Sequence, residues 1–219
     1  MFDVRSLIPR RGFLATAASA AAAVTLPWNR LDAAPAPQGG PDDWINGLKG
    51  AHRQVFDGPD PAGGIMLIHM LNYYNTYNNA YGVADAEINA VGTFYGGTTL
   101  HGLNDAMWAK YRLGEFLNIN DPDTNAPAVK NPWRTNPEIL GMRIAAASVE
   151  ALQRRGSAFI LCNNALTFFA RSVAQARGLQ ADAVYNDMKA NMIPGVVLVP
   201  GMVVALEKAQ KAGMTYQRQ

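Results

Sequence analysis

The sequence predicts one α/β domain built on a largely parallel sheet. Two observations carry this reading. Ala158–Cys162 and Val196–Val199 are short, wholly apolar runs of the kind a parallel sheet buries on both faces. Between and around such runs lie stretches whose apolar residues recur every three or four positions, and strands alternating with helices of that length form parallel sheets.

At the start of the domain, residues 44–48 read as a short helix that buries Trp44, Ile45 and Leu48. Residues 53–57, Arg-Gln-Val-Phe-Asp, stop at Gly58-Pro59 and form a first strand. Over 61–81, Met66, Leu67, Met70, Leu71, Tyr74, Tyr77 and Tyr81 mark a helix, with Pro61 at its start and Gly82 after its end. The helical spacing of its tyrosines points to core packing. Residues 87–97 form a second strand that closes in the flexible turn Gly96-Gly97-Thr98. A helix over 104–115 comes next, capped by Asn104 or Asp105 and burying Met107, Trp108 and Tyr111. Residues 118–137 show no sustained period, and Trp133 is their one aromatic. A loop that long inside a domain tends to be a lid, a binding loop or a subunit contact. A helix is expected over 138–155, ended by Gly156, and then the strand Ala158–Cys162. Asn163 or Asn164 caps the next helix, which runs to Gly178. A helix over 181–192, the strand Val196–Val199, the helix Met202–Lys211 and an edge strand over 214–217 complete the chain.

Ahead of the domain, Arg10 and Arg11 precede Gly12, Phe13 and Leu14, then an Ala-rich apolar run to Leu26 and a small-residue tail at Ala33, Ala34 and Ala36. This pattern predicts a twin-arginine export signal over 1–36, a linker over 37–43 and one domain over 44–219. The apolar run is shorter than the roughly 20 residues that span a bilayer. Removing the leader takes four arginines and two aspartates from a chain of formal charge +2, which leaves a mature domain close to neutral and periplasmic. A surface without a positive field gives no reason to expect nucleic acid, or a membrane after signal removal, as partner.

The chain has a single cysteine, Cys162, so no internal disulfide forms in the oxidising compartment. Sites in open α/β sheets lie beyond the carboxyl ends of strands. Those ends carry Asp57, then Gly96, Gly97 and Thr98, then Cys162 and Asn163, then Pro200 and Gly201. Cys162 ends a strand and precedes a helix, where the helix dipole and free N–H groups favour the nucleophilic thiolate. His101 comes after the Gly96-Gly97 turn and is either an acid or base beside Cys162 or a surface histidine. Asp57, Gly96, Gly97, Thr98, Asn163 and Gly201 are candidate ligand-binding residues. His52, His69 and His101 lack metal-ligand spacing, and neither a metal nor a cofactor is implied.

The stretches 152–156 (Leu-Gln-Arg-Arg-Gly) and 159–166 (Phe-Ile-Leu-Cys-Asn-Asn-Ala-Leu) resemble the DsrE/DsrF-like sulfur-relay family, in which an apolar strand ends in a cysteine that opens a helix. The tail, from Val199-Pro200-Gly201-Met202-Val203 through Gln210 to Tyr216, is similar to that family's ending. Residues 51–57 and 104–111 look like an exported branch of the superfamily. The likeness runs from about Ala51 to Tyr216 and is strongest after Glu138. It implies a flavodoxin-like three-layer fold, a tendency to form homo- or hetero-oligomers, and a cysteine able to carry sulfur as a persulfide. Export and the 118–137 loop depart from the relay members. Two functions are therefore expected: a periplasmic protein that binds or carries sulfur through Cys162, with a small sulfur-containing ligand or a partner protein, or a non-catalytic binding or assembly module with a structural cysteine.

Overall fold

The first strand, β1 (His52–Asp57), is followed by a short 3-10 turn and helix α2 (Ile65–Tyr81), with α1 (Asp43–Asn46) ahead of both. The computed structural model describes residues 40–219, so the expected leader lies outside the described residues. After α2 come β2 (Ile88–Phe94), a 3-10 helix (Gly96–Gly102), α3 (Asp105–Lys110) and α4 (Leu113–Leu117). A small hairpin, β3 (Glu138–Ile139) and β4 (Met142–Arg143), precedes α5 (Val149–Arg154). The chain ends β5 (Ala158–Cys162), α6 (Asn163–Arg177), α7 (Ala181–Ala190), β6 (Val196–Val199), α8 (Met202–Lys211) and β7 (Thr215–Arg218).

Five strands pair in parallel in the order β6-β5-β2-β1-β7. Residues alternate between two cores along each strand: Phe56, Phe94, Phe159 and Leu161 enter one, and Val55, Val91, Ile160 and Cys162 the other. The first core is closed by α2, α3 and α5 to α7, and the second by α1 and α8 through Trp44, Met202, Ala205 and Ala209. This is a flavodoxin-like three-layer α/β fold. Right-handed crossovers explain why the layers differ in thickness. The chain steps one way from β1 to β6, which stacks every intervening helix on one face, then reverses through α8 to reach β7 beyond β1.

The reversal sets the site. β5 and β6 are neighbours, with Cys162 opposite Val199, yet β5 leads into α6 on one face and β6 into α8 on the other. In open α/β sheets, binding sites lie where neighbouring strand ends diverge in this way.

Three elements differ from expectation. The 104–115 helix is two short helices, because Arg112 between them takes the left-handed φ of 51°. The 138–155 helix is present only as Val149–Arg154, capped by Ser148, whose hydroxyl accepts from the Ala151 N–H. Ahead of it the chain turns at Leu140 and Gly141, both at positive φ, to make the β3–β4 hairpin. The Gly96-Gly97-Thr98 turn opens a 3-10 helix capped reciprocally by Tyr95 and Thr98.

Candidate functional site

Cys162 serves as the N-cap of α6, and Gly201 as the N-cap of α8. The thiol points into the second core beside Val199 and Met202 and is 5% exposed. The Met202 N–H, the first of α8, donates to Cys162 Sγ at 3.3 Å. The N-terminus of α8 thus meets the sulfur, while Cys162 caps α6 without a side-chain hydrogen bond. Gly201 lies tightly against α6, since a Cβ there would come within 3.3 Å of the Asn164 amide. Asn163 is not a cap; its Oδ1 accepts from the Tyr185 hydroxyl at 2.7 Å and ties α6 to α7. Of the residues expected at the strand ends, the structure brings Cys162, Asn163 and Gly201 together.

Asp57 belongs to a different cluster. Its strand lies two spacings from β5, about 10 Å across the sheet. The carboxylate is 1% exposed and accepts from Thr93 Oγ1 at 3.3 Å, Tyr95 Oη at 3.1 Å and Tyr216 Oη at 2.6 Å. Burial and this carboxylate push the Tyr95 phenol well above its usual range, and the hydrogen bond to Asp57 raises Tyr216. Both phenols therefore stay protonated and donate. Asp57 with its hydroxyl donors fastens the ends of β1, β2 and β7. Thr98 is equally committed: its hydroxyl donates to the Gly58 carbonyl at 2.7 Å and accepts from the Tyr95 N–H at 3.2 Å. Gly96 is pinned at φ 56°, with the Pro59 carbonyl 2.8 Å from where a Cβ would stand, and Gly97 packs on Pro61. The structure gives Asp57, Gly96, Gly97 and Thr98 tasks in holding the sheet's end together.

His101 corrects both expectations made for it. It is neither at the surface nor beside Cys162. Its ring lies in the other core, 4.2 Å from the Trp133 ring and 5.4 Å from the Trp108 ring by centroid. Burial drives its imidazole down to about 3, opposed in part by the Thr98 backbone, so it is neutral at physiological pH. Trp133, expected at a subunit contact, is itself buried at 5% exposure. The 118–137 loop that carries it is braced rather than loose. Asn131 Nδ2 donates to the His101 and Leu103 carbonyls, both at 2.7 Å, and its Oδ1 accepts from the Trp133 N–H. Arg134 bridges Asp105 at 2.7 Å and Glu150 at 2.6 Å. Loop and hairpin wall a cleft of about 500 Å³ whose lining includes His101 and Trp133. Sequence reasoning missed this cleft; a lone tryptophan after Asn131-Pro132 in a polar loop was the available sign that the loop folds inward.

No protein-family model matches this chain, and no curated protein matches it in sequence. Among solved structures, the chain is similar to a protein of unknown function from Methanobacterium thermoautotrophicum. The two are 18% identical, with 77% of this chain and 99% of that chain covered and a TM-score of 0.37.

Proposed function

We propose that this is an exported, DsrE-like thiol protein that binds or carries sulfur through Cys162. The observation that carries the reading is the place of Sγ, at the divergence of β5 and β6, accepting a hydrogen bond from the first N–H of α8. The thiolate is the form that attacks, and the Met202 N–H gives the sulfur a fixed hydrogen-bond donor. In the transfer, the Cys162 thiolate attacks the outer sulfur of a donor persulfide. The new S–S bond leaves Cys162 as a persulfide, the donor's S–S bond breaks, and the donor departs as a thiolate. Val203, 76% exposed beside Met202, offers an apolar contact for an incoming partner.

Glutathione persulfide tests the transfer. The native protein should gain the mass of one sulfur atom, reversibly by reductant, and Cys162→Ser should gain none. A protein that never gains this mass is no sulfur carrier.

The second reading, a binding or assembly module with a structural cysteine, draws on the 5% exposure of Cys162 and its packing against Val199 and Met202. Under it, Cys162→Ala lowers stability modestly and leaves function intact.

A further inference from the structure

Asn46 and Gly47 make the one Asn-Gly step in the chain, and both residues are exposed. Such a step is chemically labile. The backbone nitrogen of the following residue can attack the asparagine side chain at Cγ, and a glycine there has no Cβ to block the approach. Other asparagines are better protected. Asn104, Asn131 and Asn191 precede Asp105, Pro132 and Met192, and their side chains are held by hydrogen bonds.

A helix restrains this reaction, because the Gly47 N–H donates to the Asp43 carbonyl at 3.1 Å and must first be released. α1 is a weak restraint. It is a single turn of four residues whose N-cap, Asp42, gives it no side-chain hydrogen bond, and a turn that short does not hold on its own. It stays in place through Trp44 and Leu48, which are buried in the second core, and through the ion pair of Asp42 with Lys208 on α8. Asn46 and Gly47 lie between these anchors on the solvent side.

We infer that Asn46 is a modification site at which the chain deamidates without an enzyme. The Gly47 nitrogen loses its proton to base and bonds to Asn46 Cγ. The Cγ–Nδ2 bond breaks, ammonia leaves, and a succinimide ring joins the two residues. Water then opens the ring at either carbonyl and leaves an aspartate or its isomer, in which the main chain runs through the former side chain. The product places a negative charge three residues after Asp43 and four after Asp42, where like charges repel along a helix. A carboxylate at the C-terminal end of α1 also opposes the helix dipole. Modification therefore loosens α1, and Trp44 with it, from the second core. Cys162 takes no part in the reaction.

The test is to age the full chain in buffers from neutral to mildly alkaline and to map its peptides by mass. The peptide that holds Asn46 should gain the difference between a hydroxyl and an amide group, in two isomeric forms, ahead of every other asparagine and faster as the pH rises. Gly47→Ala fits the fold, since a Cβ there would stand 3.5 Å from the Trp44 carbonyl oxygen, and it should age severalfold more slowly. Asn46→Asp, made directly, should speed amide exchange over 44–48 severalfold while β5 stays as protected as in the parent. The inference is overturned if the Asn46 peptide keeps its mass at the alkaline end, if its rate does not depend on pH, if Gly47→Ala ages as fast as the parent, or if Asn46→Asp exchanges like the parent.

Discussion

Burial of His101 between Trp108 and Trp133 links stability to pH through one residue. The unfolded chain takes up a proton near 6.5 that the folded chain refuses until about 3. Between those values the unfolded state holds more protons, so this contribution is complete above 6.5 and is lost as pH falls toward 3. Between about pH 7 and pH 4 the loss should be about 3 kcal/mol. Urea titrations at the two pH values should show His101→Phe losing less stability than the parent by that amount; equal losses would place the imidazole in contact with water. Asn131 offers a second test at this scale. Its 4% exposed amide satisfies two carbonyls and one N–H, so Asn131→Ala should cost about 2 kcal/mol by urea unfolding, because buried partners are left unpaired.

At the scale of elements, close backbone packing holds the loop against α4. A Cβ on Gly114 would stand 2.3 Å from the Ala128 carbonyl oxygen and 2.4 Å from its nitrogen, and backbone cannot rotate aside. Gly114→Ala should cost about 2–3 kcal/mol and speed amide exchange across 118–137 while the β5–β6 region stays protected. How much was legible in the sequence differs by element for physical reasons. Ala158–Cys162, Val196–Val199 and Met202–Lys211 stand in the structure at their expected bounds, because each is an apolar run or period closed by glycine, proline or asparagine. The 138–155 stretch misleads because Ile139 with Met142, three apart, and Leu140 with Ile144, four apart, imitate a helical period. The turn that breaks it sets Leu140 at φ 53° ahead of Gly141, and a leucine gives no sign of that conformation. The tyrosine row of α2 was half legible: Tyr74 is fully buried, but Tyr81 is 71% exposed, since the last turn of the helix runs past the sheet. In the site, the gathering of Cys162, Asn163 and Gly201 came from strand ends alone. The separation of Cys162 from His101 did not, because it depends on which face each crossover takes.

For the whole molecule, the sheet ends at β7, whose residues are exposed and which pairs on one side only, with β1. An open edge invites a second copy of the chain. We expect a homo-oligomer joined there, seen as a light-scattering mass above that of one chain; a monomer throughout the micromolar range would remove this expectation. We propose that the sheet's reversal after β6 leaves a reactive thiol where β5 and β6 part. Alkylation of the folded protein by iodoacetamide, followed by mass spectrometry, tests it most directly. Cys162 should be labelled in the native state, without urea. A thiol that resists labelling until the chain is unfolded in urea would contradict the claim.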